Sequence, residues 1–220
     1  MRALVIGASG GIGAALVVAM TNQGADVTAL SRRVDGLDVT DEASIARILG
    51  QLEPPFHTIF VATGALELGG TGPEKSLRAL TAETLAAQFA LNAIGPALVI
   101  KHLIRLLPKT EVSRIGVLSA RVGSIGDNAL GGWYSYRAAK AALNQLLHTA
   151  AIELARTHPM AVLAALHPGT VATTLTAKYS GGHPSVEPHV AADHLVGVLG
   201  ALTPDQSGGF VDWSGKSVPW

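Results

Sequence analysis

Short apolar runs alternate with longer helical stretches along the whole sequence. The first apolar run, Arg2–Ile6, is followed by a glycine-rich turn and then by a helical pattern from Ala14 to Gln23. Uninterrupted apolar runs of about five residues are typical of strands that are buried on both faces of a sheet. The repeated order of strand and helix predicts one α/β domain over residues 1–220: a single doubly wound, Rossmann-type parallel sheet with helices on both faces.

The same pattern places the individual elements. Gly95-Pro96 lies inside the longest predicted helix and predicts a kink there. Between Arg33 and Asp38 the spacing leaves no room for a helix. Strands are predicted at 2–6, 25–30, 57–62, 114–118, 160–166 and 209–213, and helices at 14–23, 42–52, 82–107, 134–157 and 191–202.

Composition narrows the class of protein. The formal net charge is +0 at pH 7, which removes any general electrostatic case for nucleic acid or an anionic membrane surface as a partner. The chain has no cysteine, which suits a reducing compartment, and no apolar run of about 20 residues that would span a membrane. No signal peptide is recognisable, so we expect a cytoplasmic protein.

The glycine-rich turn at 7–13 is the first candidate binding element. It follows a predicted strand directly and opens a predicted helix, which is the order that places a pyrophosphate at a helix N-terminus. Glycine there lets the backbone approach the phosphates closely. Because such turns also serve as plain strand-to-helix connectors, the turn alone leaves both interpretations open.

Two arginines follow the second predicted strand. An acidic residue at this position would bind a ribose 2′-hydroxyl, whereas arginine suits a 2′-phosphate. Arg32 and Arg33 occupy it, so the sequence favours NADP(H) over NAD(H). The alternative is a pair of solvated arginines at the end of the strand.

Tyr136 and Lys140 are the candidate catalytic pair. A spacing of four places the phenol and the ammonium on one helix face, one turn apart. An ammonium beside a phenol favours the phenolate, so we expect the pKa of Tyr136 to fall from about 10 toward neutrality. Such a tyrosine can donate or accept a proton at working pH. The alternative is a surface lysine beside a partly buried tyrosine.

Histidines raise the question of a metal site. His189 and Asp193 lie one helical turn apart, with His183 and Glu187 nearby. No third ligand follows at a spacing usual for zinc, so no metal site is predicted.

Taken together, the motifs resemble the short-chain dehydrogenase/reductase family, and the resemblance covers nearly the whole chain. Within the family, the sequence is similar to the C-factor-like and sniffer-like carbonyl reductases, through Arg121-Val122-Gly123-Ser124 and the stretch 131–137. The motifs that carry the family resemblance are the glycines at 7–13, Asp38-Val39, Asn92, Tyr136-x-x-x-Lys140 and Pro168-Gly169-x-Val171-x-Thr173.

The resemblance implies a role for each motif. Tyr136 would be the general acid or base, Lys140 would lower its pKa and hold the nicotinamide ribose, and Asn92 would anchor a water in a proton relay. It also implies a small-molecule carbonyl or alcohol substrate and a homodimer or homotetramer. The residues expected to contact the cofactor are Gly7, Ser9, Gly11, Ile12, Gly13, Arg32, Arg33, Asp38, Val39, Ala62, Thr63, Gly64, Tyr136, Lys140, Pro168, Gly169, Val171 and Thr173.

One position departs from the family in a way that bears on catalysis. Counted from the preceding strand, the family's substrate-binding serine falls on Ala120, and counted back from Tyr136 it falls near Gly123 and Ser124. Ser119 and Ser124 are both candidates for its role, and the oxyanion donor is weak or absent. Losing such a donor typically lowers the rate by about 10²–10³.

Three functions are therefore carried forward. The leading one is an NADP(H)-dependent oxidoreductase that interconverts a carbonyl and an alcohol. The second is a cofactor-binding sensor or signalling protein with little catalysis, and the third is an epimerase or dehydratase that recycles its bound cofactor. The loop 170–188 is expected to cover the substrate, with Gly181-Gly182 giving it mobility and Leu175 and Tyr179 favouring a small or apolar compound.

Overall fold

A computed structural model describes residues 1–179 and 184–220, so Gly181-Gly182 and His183 lie outside the described residues. The strands form one parallel sheet of six, in the order β2-β1-β3-β4-β5-β6. The prediction of a doubly wound parallel sheet is confirmed. The strands are β1 Arg2–Ile6, β2 Asp26–Leu30, β3 Thr58–Val61, β4 Ser113–Leu118, β5 Ala161–His167 and β6 Phe210–Asp212.

Helices cover both faces of the sheet because alternate strand residues point to opposite sides. In β1, Leu4 and Ile6 pack with the core on one face, and Ala3 and Val5 pack with the core on the other. The helices are α1 Gly11–Asn22, α2 Arg32–Asp35, α3 Glu42–Gly50, α4 Ala82–Phe89, α5 Gly95–Leu103, α6 Tyr134–Leu154 and α7 Pro188–Ala201. Helices α3, α5 and α6 cover the first face, and α1 and α7 cover the second.

The prediction that no helix fits between Arg33 and Asp38 is wrong by one turn. Helix α2 spans only four residues. The Ser31 hydroxyl accepts from the backbone N–H of Val34 at its start, and Gly36 ends it with φ 69. A cap at one end and a left-handed glycine at the other make a single turn possible in this short segment.

The kink in the long helix lies before Gly95-Pro96 rather than at it. A π-helical turn, Ala90–Ile94, separates α4 from α5. Pro96 stands in the first turn of α5, directly after this widened turn, and it has no N–H to donate to the preceding turn. The irregularity therefore comes from one widened turn, a feature that is frequent at functional sites, and this turn carries Asn92.

The continuous helical stretch Ala82–Leu106 is long and apolar enough, by length and composition alone, to cross a membrane. Its most apolar part has a mean hydropathy of 1.3 and is 44% buried inside the fold. Val99 and Leu103 lie in the core against the sheet. The core helix of a soluble protein has the same character, so its burial accounts for its apolar sequence.

Candidate active site

The glycine turn is packed against backbone atoms at the carboxyl end of the sheet. A Cβ on Gly13 would lie 2.1 Å from the carbonyl oxygen of Gly7, and one on Gly7 would lie 2.6 Å from that of Ala62. Gly7 also has φ 89, a conformation that side chains rarely adopt. The turn therefore accepts only glycine at these two places, and its backbone stays open toward the cavity above.

Helix α1 offers unpaired donors at its first turn. Gly10, its N-cap, makes no side-chain cap, and no acidic residue lies in the first turn. The backbone N–H groups of a first helical turn have no partners within the helix, and the helix dipole there favours an anion. A Cβ on Gly11 would lie 2.8 Å from the Thr173 methyl group, so the opposite loop closes over this turn.

A cavity of about 640 Å³ runs along the carboxyl ends of the strands. It brings together the glycine turn, the ends of β3, β4 and β5, and the first turns of α6. The sequence-predicted site residues that line it are Gly11, Ile12, Gly13, Ala62, Thr63, Gly64, Tyr136, Lys140, Pro168, Gly169, Val171 and Thr173.

The remaining predicted site residues lie outside the cavity wall. Arg32 and Arg33 are exposed on the short helix α2, and Ser9 is exposed on the glycine turn. The carboxylate of Asp38 accepts from the Thr40 hydroxyl and N–H, and these bonds lower its pKa. Val39 and Asn92 are buried, and Gly7 is partly exposed.

Tyr136 and Lys140 are buried together on the floor of the cavity. Their exposed fractions are 8% and 3%, and the Lys140 ammonium lies 5.9 Å from the centroid of the Tyr136 ring. Lys140 Nζ donates to the carbonyl oxygen of Leu118 over 3.0 Å. The phenol and the ammonium therefore share one water-poor space.

Burial sets the pKa of both groups. It raises the pKa of Tyr136 to about 12 and lowers that of Lys140 to about 8. The expectation of a lowered tyrosine pKa is thus wrong for this site as folded, because burial penalises the phenolate and also weakens the ammonium that would stabilise it. At neutral pH Tyr136 keeps its proton, so it is poised as a proton donor.

Asn92 is fixed behind the cavity by a network of amide hydrogen bonds. Its Oδ1 accepts from the N–H of Ala65 over 3.2 Å, and its Nδ2 donates to the carbonyl oxygen of Ala65 over 2.9 Å. Nδ2 also donates to Gln88 Oε1, and Gln88 Nε2 donates to the carbonyl oxygen of Leu66. Sequence reasoning missed Gln88, although its position four residues before Asn92 places it on the same helix face.

Gly64 connects this network to the catalytic pair. A Cβ there would lie 2.7 Å from Asn92 Oδ1 and 3.5 Å from Lys140 Nζ. Only a residue without a side chain leaves this gap between the amide and the ammonium open.

The two candidate serines are placed differently. Ser119 lines the cavity, and its hydroxyl donates to Asn144 Oδ1 over 2.6 Å. The Ser124 hydroxyl accepts from the backbone N–H of Asp127 and is absent from the cavity wall. Ala120 does line the cavity. Ser119 is therefore the better placed candidate, with its hydroxyl proton already committed to Asn144.

Two buried polar atoms on the cavity wall have no hydrogen-bond partner among the described residues: Thr63 Oγ1 and His167 Nδ1. Burial lowers the pKa of His167 to about 4, so the ring is neutral at physiological pH. Unpaired buried polar atoms are costly unless a ligand satisfies them. Together with the open first turn of α1, they fit a dinucleotide that presents phosphates and polar groups along this wall.

Sequence reasoning missed most of the substrate end of the cavity. Gly131-Gly132 directly before a helix was the available signal, because two glycines there free the chain to turn a large side chain inward. The cavity-lining residues that were missed include Leu66, Arg121, Val122, Leu130, Trp133 and Arg137.

Among residues 1–179 and 184–220, no three potential metal ligands lie together, and the absence of a metal site stays a prediction.

A parallel doubly wound sheet, a glycine turn at a helix N-terminus and a buried Tyr–Lys pair define a nucleotide-dependent dehydrogenase or reductase. Residues 1–183 match the short chain dehydrogenase family, and the chain belongs to this family of oxidoreductases. Over 232 aligned residues it is 32% identical to the 1-hydroxy-2-glutathionyl-2-methyl-3-butene dehydrogenase of Rhodococcus sp. (strain AD45), covering 99% of this chain and 98% of that protein. It is 35% identical to the C-signal protein of Myxococcus xanthus, over 62% of this chain and 78% of that protein.

Solved structures share the whole fold. A short-chain dehydrogenase/reductase from Burkholderia multivorans with bound NADP superposes with a TM-score of 0.83 and 25% identity, covering 100% of this chain and 99% of that one. The carbonyl reductase Sniffer of D. melanogaster superposes with a TM-score of 0.81 and 20% identity, over 100% and 99% of the two chains. The resemblance drawn from the sequence motifs is confirmed.

Proposed function

We propose that the protein is an NADP(H)-dependent oxidoreductase that interconverts a carbonyl and an alcohol. The observation that carries this proposal is the buried pair of Tyr136 and Lys140 in the same cavity as the open glycine turn. The nicotinamide cofactor supplies or takes up the hydride when it is bound. Tyr136 donates its hydroxyl proton to the carbonyl oxygen in reduction and accepts it in oxidation, Lys140 holds the nicotinamide ribose, and Asn92 completes a proton relay.

The preference for NADP(H) rests on α2. Arg32 and Arg33 are exposed there, beside the end of β2, where they can reach a 2′-phosphate. The similar Burkholderia structure contains NADP. Asp38 and Val39 would flank the adenine, and Thr63 and His167 would meet polar groups of the cofactor along the cavity wall.

Titration of the protein with NADPH and NADH, followed by nucleotide fluorescence, tests the cofactor assignment. We expect NADPH to bind more tightly, and the double variant Arg32→Ala/Arg33→Ala to lose that preference. Arg156→Ala is the matched control, because Arg156 is exposed in the turn that follows the C-terminal end of α6. Equal binding of the two nucleotides by the unmodified protein would overturn the assignment.

Turnover of a panel of carbonyls and alcohols tests the reaction. The panel includes a primary alcohol that carries a glutathione thioether, because the Rhodococcus relative is named for one and Arg121 and Arg137 line the cavity. We expect Tyr136→Phe to abolish turnover and to keep NADPH binding. A Tyr136→Phe variant with unchanged turnover would refute the assigned proton donor.

A second function, cofactor-dependent signalling with little catalysis, is favoured by Ala120, which is one of the two positions that correspond to the family's serine. The similarity to the C-signal protein supports testing it. In that case Tyr136→Phe would retain the full biological activity while losing any turnover, which separates the two functions in one variant.

We also infer that the protein is a cytoplasmic homodimer or homotetramer. Leu146 and Ile152 on α6 are 42% and 54% exposed, and Ile94 beside α5 is 49% exposed, so these helices keep apolar surface available for a second copy. Light scattering after size exclusion tests the state, and a purely monomeric protein at micromolar concentration would refute it.

A further inference from the structure

Trp133 has the most unusual backbone conformation in the described part of the chain. It has φ 52 and ψ 41, in the left-handed region, and is the one residue other than glycine with positive φ in 1–179 and 184–220. Large side chains rarely adopt this conformation, and strain of this kind concentrates at functional sites. Gly131 and Gly132 before it also have positive φ, so a third glycine would be the unstrained choice.

Glu74 holds Trp133 in this conformation. Its carbonyl oxygen accepts from the N–H of Trp133 over 2.5 Å, and its carboxylate accepts from the hydroxyl and the N–H of Ser135 over 2.6 and 3.2 Å. Glu74 and Ser135 are only 5% and 1% exposed. Burial alone would raise the pKa of Glu74, but hydrogen bonds outweigh it, with the bond from the Ser135 hydroxyl the strongest, and the lowered pKa keeps the carboxylate charged.

The held ring stands between two tyrosines at the substrate end of the cavity. Its centroid lies 6.3 Å from that of Tyr136 and 5.7 Å from that of Tyr179, with interplanar angles of 71° and 81°. Tyr179 is fixed in turn by a hydrogen bond from its hydroxyl to the Glu67 carboxylate, which also binds Lys178. Trp133, Tyr136 and Tyr179 all line the cavity, and we name this trio the aromatic wall.

The aromatic wall lies in the same cavity as the proposed proton donor, and this position determines which part of a bound substrate it can contact. Because the three side chains line one cavity, a carbonyl compound whose oxygen reaches the Tyr136 hydroxyl brings its neighbouring substituent into the space that Trp133 and Tyr179 also line. Aromatic rings attract other flat unsaturated groups by edge-to-face and offset-stacked contacts, beyond the effect of buried area. A saturated substituent of the same size gains the buried area alone.

We propose that Trp133 is a specificity-determining residue that selects carbonyl compounds with a flat, unsaturated substituent next to the carbonyl carbon. The inference rests on the proposed oxidoreductase function and adds the class of substrate. The strained backbone serves this selection, because an unstrained residue would not present the ring beside Tyr136.

Steady-state reduction of benzaldehyde and cyclohexanecarbaldehyde with NADPH tests the proposal, since both carry a six-carbon ring next to the carbonyl and only the ring of benzaldehyde is flat and unsaturated. Conjugation also changes the intrinsic reactivity of benzaldehyde, but this difference is the same for every variant, so the change of the ratio between variants is the readout. We expect the unmodified protein to prefer benzaldehyde in kcat/KM by at least tenfold. Trp133→Ala should remove most of that preference through the KM for benzaldehyde, and Trp133→Phe should restore it. Trp220→Ala is the matched control, because Trp220 packs on Phe210 and His148 away from the cavity and should keep the preference.

A second pair of variants separates selection from folding. Trp133→Gly should unfold at a higher temperature than Trp133→Ala, because only glycine releases the left-handed strain. Tyr179→Leu, on an accessible loop, should lower the same preference if the Trp133 variants do not fold. Equal effects of Trp133→Ala on both aldehydes, or an unmodified protein without preference, would overturn the proposal. Binding of NADPH without turnover of any carbonyl would instead refute the proposed function.

Discussion

The side-chain amide of Asn92 is held by Gln88, whose Oε1 accepts from Asn92 Nδ2 over 2.6 Å. Gln88 is 4% exposed and also donates to the carbonyl oxygen of Leu66. The two amides therefore tie the π-helical turn to the loop that follows β3. Asn92 has no freedom to turn away from Lys140, and its orientation depends on a residue that touches neither the cavity nor the catalytic pair.

Replacing Gln88 by leucine should misplace Asn92. Asn92 keeps its bonds to Ala65, but one Nδ2 hydrogen of Asn92 and the Leu66 carbonyl lose their partners, which together typically costs about 2–6 kcal/mol in the free energy of unfolding. We expect chemical denaturation to show a loss in this range and kinetics to show a lower kcat with little change in the KM for NADPH. Gln145→Leu is the control, because the Gln145 side chain donates to Thr149 on the exposed face of α6. Equal losses in the two variants would contradict a positioning role.

Adding the missing hydroxyl at Ala120 should raise the rate. Ala120 lines the cavity, and a donor to a developing oxyanion is typically worth about 10²–10³ in kcat. We expect Ala120→Ser to increase kcat by about tenfold or more, with Ala120→Gly as the control for volume and flexibility. If Ser119 already fills the role, Ala120→Ser will leave kcat unchanged and Ser119→Ala will lower it by a similar factor.

Removing the buried ammonium should stabilise the folded protein. Because the pKa of Lys140 is lowered to about 8 from 10.5, the unfolded chain binds its proton more tightly, and stability rises with pH across that interval. At pH 7 we expect Lys140→Met to gain about 2 kcal/mol after losing its hydrogen bond to Leu118, and to lose turnover. The gain should shrink as the pH approaches 10, because Lys140 then loses its proton in the unfolded chain as well. Near that pH the raised pKa of Tyr136 begins to favour unfolding of both proteins.

Denaturation curves between pH 7 and 9.5 measure this difference. Lys101→Met is the matched control, because the Lys101 side chain is 63% exposed and pairs with Glu42 at the surface. Such a pair contributes about 0–1 kcal/mol, so the control should change little. A Lys140→Met variant that is less stable at pH 7 would show that the ammonium is a net stabilising group.

His167 should make the protein sensitive to acid. Its pKa is about 4 in the fold against 6.5 in a free histidine, so its contribution is complete above pH 6.5 and is lost as the pH falls toward 4. The shift corresponds to about 3 kcal/mol at the acid end. We expect the stability difference between the protein and His167→Leu to change across this interval.

His189→Leu provides the comparison for His167, since His189 is exposed on α7. Carboxylates also titrate below pH 5, and subtracting the two variants removes their common effect. A constant difference from pH 7 to 4 would mean that His167 is not the group that becomes charged.

The sequence predicts those features of the fold and the site that follow from the pattern of apolar residues and from the order of the motifs. Apolar runs place the inner strands, because a strand buried on both faces is apolar throughout, whereas the edge strand β2 is partly exposed and carries Asp26 and Thr28. The motif order places Tyr136, Lys140 and the glycine turn in one cavity. The sequence predicts the kink of the long helix at Gly95-Pro96, whereas the irregular turn is Ala90–Ile94, one turn earlier. A π-helical turn has no compositional signal comparable to Gly95-Pro96.

The sequence does not show how deeply each side chain is buried or which distant residues it contacts. The spacing of Tyr136 and Lys140 shows that they are neighbours but not that both are buried, and burial reverses the expected direction of the tyrosine pKa. The roles of Glu74 and Gln88 depend on contacts between distant segments. For Trp133, no rule of residue preference predicts a left-handed tryptophan, because the conformation is imposed by the surrounding structure.

The glycine turn also constrains how related sequences can diverge. At Gly11 the obstacle to a methyl group is the side chain of Thr173, which a second mutation can shorten. At Gly13 the obstacle is the carbonyl oxygen of Gly7, which belongs to the main chain and which no mutation removes. In related sequences, the glycine at position 11 can therefore be replaced if position 173 changes as well. The glycine at position 13 cannot be replaced by any other residue while this turn is kept.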